Sequence, residues 1–336
     1  MIQEAVQDLI AGAHLGRVKA RAVMDQIMSG GATDAQIGAF LVALRIKGET
    51  VDEIVGCAEG MREKATPIKT SRTNLIDTCG TGGDGSGTFN ISTTVAFVAC
   101  GAGLAVAKHG NRSISSECGS ADVLAELGVN IEASPEKVGQ CIDEVGIGFL
   151  FAVALHGAMK YAIGPRKELA VRTVFNALGP LTNPAGAKRQ LIGVYDSDLT
   201  DKVAGVLNEL GSERAFVVHG SDGLDEITLT GPTKLSELNG GQVTTREVSP
   251  VDFGLQTVAA EALSGGAAPY NAQILRAVLD GELGPRRDVV LLNAAAAIAA
   301  GGLVGDMAAG IDVARESIDS GKARQALDRL VEVSNA

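Results

Sequence analysis

Apolar and polar positions over the first 65 residues repeat with the period of an α-helix. The apolar residues from Ile37 to Leu44 share one helical face, and the segment from Thr33 to Gln36 before them has the form of a capping box. Gly48 ends this helix, and the segment from Thr50 to Glu53 is a second capping box that predicts a helix through Met61. Since no strand-like alternation interrupts the pattern, we predict a small all-helical domain over residues 1–66.

Beyond Pro67, short apolar runs alternate with glycine-rich turns and helices. Such alternation is typical of an α/β fold whose mostly parallel sheet is covered on both faces. We therefore predict a large α/β domain over residues 67–336, with a small antiparallel excursion at 225–247. The strands expected from the pattern are 75–76, 104–107, 192–195 and 215–218, and the expected helices are 92–100, 120–127, 135–144 and 199–210.

Composition and charge argue against several classes of protein. The 336 residues are 46% apolar and 21% charged, as in a globular protein, and the net charge of −11 disfavours a basic surface for nucleic acid. The five cysteines are scattered without a Cys-X-X-Cys pair, which predicts a reduced, cytoplasmic chain. The N-terminus shows no signal-peptide pattern. The apolar run from Val289 to Val304 is interrupted by Asn293, so we expect a buried core helix there and no membrane segment.

Five of the eight residues from Gly80 to Gly87 are glycine. Backbone N–H groups can converge on an anion in such a loop because no Cβ stands in the way. A dinucleotide fingerprint is disfavoured, since the predicted helix begins late and no acid follows about 20 residues on. A flexible turn remains the structural alternative. The segment from Asn90 to Thr93 would cap the next helix, whose N-terminus favours a phosphate, and Ser92 could also ligate Mg²⁺.

A second polar segment, from Lys108 to Ser116, follows the next predicted strand. It contains cations, a glycine and hydroxyls. Both segments lie at the carboxyl ends of strands, where open α/β sheets bind ligands. Two such segments imply a ligand with more than one phosphate, although a solvated polar loop is the alternative for the second. His109 by itself is more typical of a hydrogen-bonded structural residue than of a catalytic one.

Carboxylates and a distant arginine complete the candidate chemistry. Asp225 and Glu226 are adjacent, which suits Mg²⁺ ligation together with substrate phosphates, an acidic turn being the alternative. Arg166 could bind a carboxylate in a bidentate manner, through two parallel N–H···O hydrogen bonds, although an arginine taken alone is more often a surface residue. The sequence shows no Ser/His/Asp or Cys/His pair for nucleophilic catalysis. The combination suits transfer at a carbon whose leaving group is a Mg²⁺-bound pyrophosphate.

Taken in order, these motifs resemble the anthranilate phosphoribosyltransferase family over essentially the whole chain. The motifs are Gly80–Asp84, Asn90–Thr93, Lys108–Arg112, Gly119–Asp122, Arg172–Pro184 and Asp225-Glu226. The resemblance implies transfer of phosphoribose from phosphoribosyl pyrophosphate (PRPP) to the amine of anthranilate, in tryptophan biosynthesis, with two Mg²⁺ per monomer. It also implies a nucleoside phosphorylase/phosphoribosyltransferase-like fold, in which helices from about 165–185 join the small domain. The active site would lie in the hinge cleft, and a homodimer would form through the small domain.

The resemblance assigns site residues by matched position. Those expected to bind PRPP are Gly80, Gly83, Asp84, Thr88, Asn90, Ile91, Ser92, Thr93, Lys108, His109, Gly110, Asn111, Arg112, Ser113, Ile114, Ser115, Ser116 and Ser120. Those expected to bind Mg²⁺ are Ser92, Asp225 and Glu226, and those expected to contact anthranilate are Gly80, Asn111 and Arg166. No general base is implied, because an aromatic amine is already neutral near neutral pH. Lys108, Asn111 and Arg166 would act by charge and positioning.

The chain departs from the family at Val153 and Leu155, where many members carry proline and histidine, while His156 is retained. This departure concerns the polar lining of the anthranilate access and leaves the PRPP segments untouched. Two alternatives stay open at this point. A nucleoside phosphorylase of related fold would not need the acid pair, and a nucleic-acid-binding paralogue would need a basic groove that the net charge disfavours.

Overall fold

The chain opens with four helices. The computed structural model describes residues 1–113 and 117–336, so the predicted PRPP residues Ile114, Ser115 and Ser116 lie outside the described residues. The first helices are α1 (Ile2–Ile10), α2 (Gly16–Met28), α3 (Asp34–Lys47) and α4 (Val51–Arg62). Both predicted capping boxes are confirmed. Thr33 Oγ1 accepts from the N–H of Gln36 at 3.3 Å, and Thr50 Oγ1 accepts from the N–H of Glu53 at 3.3 Å.

Strands and helices alternate over the rest of the chain. In order they are β1 (Leu75–Gly80), α5 (Ile91–Gly101), β2 (Ala105–Gly110), α6 (Ser120–Glu126), α7 (Pro135–Glu144), β3 (Ile147–Phe151), α8 (Ala152–Leu155), α9 (Lys160–Leu169), α10 (Val174–Leu181), β4 (Arg189–Gly193), α11 (Leu199–Glu209), β5 (Arg214–Gly220), β6 (Thr233–Asn239), β7 (Gln242–Val248), α12 (Ala268–Leu279), α13 (Pro285–Ala300), α14 (Met307–Asp319) and α15 (Lys322–Asn335). The predicted fold class, a small helical part with a large α/β part, is confirmed.

The sheet has seven strands in the order β3-β2-β1-β4-β5-β6-β7. Strands β1 to β5 pair in parallel, whereas β6 and β7 add to the edge in antiparallel pairing. The predicted antiparallel excursion is therefore a continuation of the same sheet. Between β1 and β4 the strand order reverses, because the chain proceeds from β1 toward β2 and from β4 toward β5 on the opposite side.

The two faces of the sheet pack on separate cores. Along β5, Phe216 and Val218 face a core built with α5 and α13, while Ala215 and Val217 face a core shared with the N-terminal helices. This two-residue alternation is what a strand covered on both faces requires. Helix α13 is buried along nearly its whole length, as predicted from its apolar run. None of the described helices is long and apolar enough to cross a membrane.

The second core joins sequence-distant helices. Apolar residues of α10, including Phe175 and Leu178, pack with those of α1 to α4. Arg62 at the end of α4 donates from Nε to the carbonyl of Leu181 at 2.7 Å, and burial lowers the pKa of this guanidinium. These contacts attach the segment that follows β3 to the N-terminal helices.

The four predicted strands all end at other residues than expected, and β1 and β5 extend to Gly80 and Gly220. Strand β2 continues through Gly110, so Lys108 and His109 belong to the strand and not to the loop after it. Strand β4 ends at Gly193, before Tyr195. Pairing explains why β2 is longer than predicted, since β2 pairs with β3 as far as Gly110. A polar residue can belong to a buried strand when the neighbouring strand pairs with it by backbone hydrogen bonds. A count of apolar residues along the chain does not detect such pairing.

Candidate active site

The candidate site lies where the strand order reverses. At such a switch point the loops after two neighbouring strands diverge and leave a crevice outside the carboxyl ends of the strands. Gly80 ends β1 and pairs with Gly193, which ends β4. The predicted glycine loop therefore starts at the crevice, as the sequence led us to expect.

The stem of the glycine loop is fixed against Asp225. The backbone N–H of Gly82 donates to Asp225 Oδ2 at 2.8 Å. A Cβ at Gly80 would lie 2.4 Å from that oxygen, so any other residue would push the strand and the acid apart. Gly82 and Gly83 then take φ values of +65° and +74°, in the left-handed region. The glycines at these positions are thus required by the backbone path as well as by the close approach.

Asn90 occupies the N-cap position of α5 but its side chain does not cap the helix. Its Nδ2 donates to the carbonyl of Cys118 at 3.1 Å, and its Oδ1 accepts from Asn271 Nδ2 at 3.0 Å. The side chain therefore ties the start of α5 to α12 and to the segment before α6. Thr93 in the first turn is buried, and its Oγ1 has no partner among the described residues. The N–H of Ile91 already donates to the carbonyl of Phe89 at 2.8 Å and the backbone of Ser92 is bonded to Glu226, so only the remaining donors of this first turn are left for an anion.

Lys108, in the second predicted segment, contacts β1 and the start of α5, the two elements on either side of the glycine loop. Its buried Nζ donates to the carbonyl of Thr78 at 2.5 Å and lies 3.4 Å from Ser92 Oγ. Burial lowers its pKa, while the nearby carboxylates of Asp77 and Glu226 oppose this effect. No carboxylate in the described part of the chain forms an ion pair with it, so its charge is left for a ligand.

His109 is held as a structural residue from two sides. Its backbone N–H donates to Asp77 Oδ1 at 3.0 Å, and its ring Nδ1 lies 3.1 Å from the carbonyl of Gly179. A carbonyl can only accept, so Nδ1 carries the proton. Burial lowers the pKa of His109 to about 3, and the neighbouring His156, 5.1 Å away between ring centroids, adds to this. The ring is therefore neutral near neutral pH.

Asp122 organises the segment after β2. It accepts from Arg112 Nη1 at 2.7 Å, from the N–H of Ser113 at 3.1 Å and from the N–H of Gly119 at 2.9 Å. Burial acts to raise the pKa of Asp122, but these hydrogen bonds outweigh it and the pKa is lowered. Ser120 Oγ donates to the carbonyl of Asn111 at 3.2 Å. The described predicted residues of this segment thus lie together around one turn.

Asp225 and Glu226 lie beside the glycine loop with little cationic compensation. Burial raises the pKa of Glu226 well above its usual range, and repulsion from Asp225 adds to this. Burial and then repulsion from Asp84 raise the pKa of Asp225. Hard oxygen donors crowded in this way suit Mg²⁺.

The number of protein ligands available to a metal ion at Asp225 and Glu226 is small. No group of three or more His, Cys, Asp or Glu in residues 1–113 and 117–336 could hold a metal by itself. An ion at the acid pair would therefore complete its coordination with substrate oxygens and water, which is how Mg²⁺ usually binds. The donor set fits the predicted metal in type, and the assignment of Ser92 to it stays a prediction.

Arg166 in α9 is half-buried and lies over an aromatic ring. Its Cζ is 5.1 Å from the centroid of Phe175. Burial lowers its pKa, and no carboxylate among the described residues pairs with it. A desolvated guanidinium without an anionic partner is available for a carboxylate ligand.

Comparisons with known proteins cover nearly all of the chain. Residues 72–324 match the family described as Glycosyl transferase family, a/b domain, and residues 3–65 match the Glycosyl transferase family, helical bundle domain. Anthranilate phosphoribosyltransferase of Moorella thermoacetica is 57% identical over 98% of both chains, and that of Desulforamulus reducens is 54% identical over 99% of this chain and 97% of that one. The chain belongs to the anthranilate phosphoribosyltransferase family.

Solved structures agree with the sequence relatives. The anthranilate phosphoribosyltransferase of Thermus thermophilus superposes with a TM-score of 0.94 at 44% identity, covering 99% of each chain. That of Saccharomyces cerevisiae, solved in complex with PRPP and Mg, superposes with a TM-score of 0.90 at 27% identity over 99% of this chain and 98% of that one. The same yeast enzyme has been solved with 4-fluoroanthranilate.

The departure from the anthranilate phosphoribosyltransferase pattern at 153 and 155 has a simple structural description. Leu155 is buried in an apolar cluster with Ile68 and Leu150, and its carbonyl accepts from the N–H of Thr66 at 2.8 Å. Val153 is 63% exposed. The Leu155 side chain therefore belongs to the core in this chain.

Sequence reasoning missed three residues that shape the site of this family member. Asp77 lies in the middle of β1, Asn271 in α12 holds Asn90, and the N–H of Tyr195 donates to Thr81 Oγ1 at 3.0 Å. Asp77 follows directly after the apolar pair Leu75-Ile76, where a buried carboxylate would need hydrogen-bonding partners, and this position was a signal of its role. Nothing local marked the other two.

Proposed function

We propose that this chain transfers the 5-phosphoribosyl group of PRPP to the amine of anthranilate, with release of pyrophosphate, as the second step from chorismate to tryptophan. The observation that carries the proposal is the convergence at one switch point of the glycine loop, Lys108 and the acid pair. The family relationship names the reaction for proteins of this kind, and the convergence supplies a place where a diphosphate would bind.

The diphosphate of PRPP would lie between the glycine loop, the start of α5 and Lys108. Backbone N–H groups of left-handed glycines and of a helix start favour phosphate oxygens. Lys108 reaches both Thr78 and Ser92, so one cation would serve the two segments. For the other residues assigned to PRPP by resemblance, the contact with the ligand stays a prediction.

Asp225 and Glu226, with Ser92, would hold two Mg²⁺ per monomer. When bound, the metal would stabilise the negative charge that develops on the departing pyrophosphate. The Asp225 carboxylate already lies against Gly80 and accepts from the N–H of Gly82, so this acid is positioned at the stem of the glycine loop. The count of two ions is part of the proposal.

Arg166 would bind the carboxylate of anthranilate, and Gly80 and Asn111 would contact its ring or amine. With the arylamine already neutral, the protein needs only to orient it toward C1 of the ribose as that carbon becomes oxocarbenium-like. Positioning and charge stabilisation then provide the rate. This agrees with the neutral, hydrogen-bonded state of His109 and the absence of an assigned base.

The test is the loss of anthranilate fluorescence on addition of protein, PRPP and Mg²⁺. We expect turnover that requires all three, and none in the presence of EDTA. Mg²⁺-independent phosphorolysis of a nucleoside, with no consumption of anthranilate, would instead favour the related-fold phosphorylase. Salt-sensitive DNA binding without either activity would favour the nucleic-acid paralogue.

Assembly and location complete the proposal. The helical part exposes apolar side chains at Ile10, Val18 and Ile46, each at least 75% accessible, which supports a homodimer formed through this part. All five cysteines are free thiols, which supports a cytoplasmic location. Light scattering of the wild type and of Val18→Glu should give a dimer and a monomer; a monomeric wild type would contradict the first point.

A further inference from the structure

Arg172 reaches the glycine loop from a distant part of the chain. It lies between α9 and α10, and its Nη2 donates to the carbonyl of Gly83, 89 residues away in sequence. The side chain is exposed, and within the described ranges no carboxylate forms an ion pair with it. Because no ion pair fixes the conformation of this exposed side chain, other contacts must do so.

Tyr195 supplies such a contact. The Cζ of Arg172 lies 4.1 Å from the centroid of the Tyr195 ring, a distance that favours a cation–π contact. Tyr195 is itself attached to the loop stem, because its N–H donates to Thr81 Oγ1 at 3.0 Å and the N–H of Thr81 donates to the carbonyl of Gly193 at 2.9 Å. The ring, the guanidinium and the loop therefore form one connected unit.

The backbone before Arg172 is also constrained. Ala170 ends α9 with φ of +51°, and it is the one non-glycine residue of the described chain in the left-handed region. Such a conformation is strained in an alanine and persists only when the surroundings determine it. The chain thus enters the Arg172 segment along a defined direction.

We propose that Arg172, stacked on Tyr195, is a positioning residue that fixes the Gly82–Gly83 peptides of the glycine loop for PRPP. The N–H of Gly82 donates to Asp225, and the carbonyl of Gly83 accepts from Arg172. Glycines lose more conformational entropy than other residues when a loop becomes ordered. The two hydrogen bonds on adjacent residues restrict the backbone conformations of Gly82 and Gly83 before PRPP binds. The inference rests on the proposed function, since it assigns the loop to PRPP.

The decisive variants are Arg172→Ala and Tyr195→Ala, with Tyr195→Phe and the surface variant Arg315→Ala as controls. Tyr195→Phe keeps the ring, and Arg315 forms its ion pair with the exposed Asp312 on its own helix, away from the glycine loop. We expect Arg172→Ala to raise the PRPP KM about tenfold or more, as the loss of a charge-assisted hydrogen bond predicts, with the anthranilate KM changed by less than about twofold. Tyr195→Ala should give a smaller rise of the same kind, and both controls should behave as wild type.

Hydrogen–deuterium exchange of residues 81–87 in the ligand-free protein gives a readout that needs no turnover. We expect faster exchange in Arg172→Ala and Tyr195→Ala than in either control. Unchanged exchange together with an unchanged PRPP KM would overturn the inference, and so would an equal rise of both KM values with slow exchange retained. If Arg172→Ala fails to fold, Tyr195→Ala decides alone. A wild type that consumes no PRPP would overturn the proposed function instead, whatever the exchange result.

Discussion

Glu53 and Glu226 are both buried, but the pKa of the first is lowered and that of the second is raised. Glu53 in the helical part accepts hydrogen bonds from Lys47 Nζ at 2.8 Å, from the N–H of Leu15 at 3.0 Å and from the N–H of Thr50 at 2.8 Å. Burial acts to raise its pKa, yet these partners outweigh it and the pKa is lowered. Glu226 has Asp225 beside it, and its pKa is raised.

The difference separates a structural acid from one that we propose to bind a metal ion. A buried carboxylate with a full set of partners stabilises the ends of the helices that supply them, here the start of α2, the end of α3 and the start of α4. At Glu226, nearby Lys108 and the backbone of Ser92 act to lower the pKa but do not outweigh burial and Asp225, so this acid is held at a cost in stability that a bound cation would offset. Arg166 is the cationic counterpart, a half-buried guanidinium that is available for a carboxylate.

The largest effect should come from Asp225→Asn combined with Glu226→Gln. We expect kcat/KM to fall by about a thousandfold or more, since the proposed metal ligands are lost, while the thermal midpoint stays the same or rises because a buried repulsion is removed. Steady-state fluorescence and calorimetry measure the two quantities. Wild-type turnover in this double variant would remove the metal assignment and with it the comparison.

The matching change in the helical part is Glu53→Ala. Removing one partner of a buried ion pair costs about 3–5 kcal/mol, so urea unfolding should show a loss of that order. Glu132→Ala, at an exposed position, is the control and should change the free energy of unfolding by less than about 0.5 kcal/mol. Equal losses in the two variants would mean that the Glu53 contacts contribute little.

Arg166→Ala tests the cationic counterpart. We expect the anthranilate KM to rise about 10- to 150-fold, the range for a hydrogen bond to a charged group, with a much smaller change in the PRPP KM. Initial rates with each substrate varied in turn give both constants. A parallel rise of the two values would refute the assigned role of Arg166.

The smallest effect is a pH dependence. Because the folded-state pKa of Glu53 is lowered, its contribution is fully present above its ordinary value of 4.5 and is lost as the pH falls through the folded-state pKa. The difference in unfolding free energy between wild type and Glu53→Gln should therefore shrink below about pH 4.5, by about 1.4 kcal/mol for each unit of lowering. A difference that grows on acidification would show that the sign is wrong.

Much of the fold follows from local pattern. The capping boxes at Thr33 and Thr50, the N-cap of α7 at Ser134 and the buried run of α13 depend on neighbours a few residues apart, so their spacing is visible in the chain itself. The end of β2 was misjudged, because Lys108 is polar and its place in a buried strand depends on pairing with β3.

Local spacing in the chain was enough to predict the helix boundaries near good caps, two segments of phosphate-binding type and the family to which their motifs point. Only the tertiary structure decided that Asp225 binds Gly82, that Asp77 supports His109, and that Arg172 and Tyr195 reach the glycine loop. These hydrogen-bonded partners are separated by 32 to 143 residues, and the order of strands in the sheet brings them together. Strand order depends on the packing of both sheet faces at once, a global property that no local spacing of residues encodes.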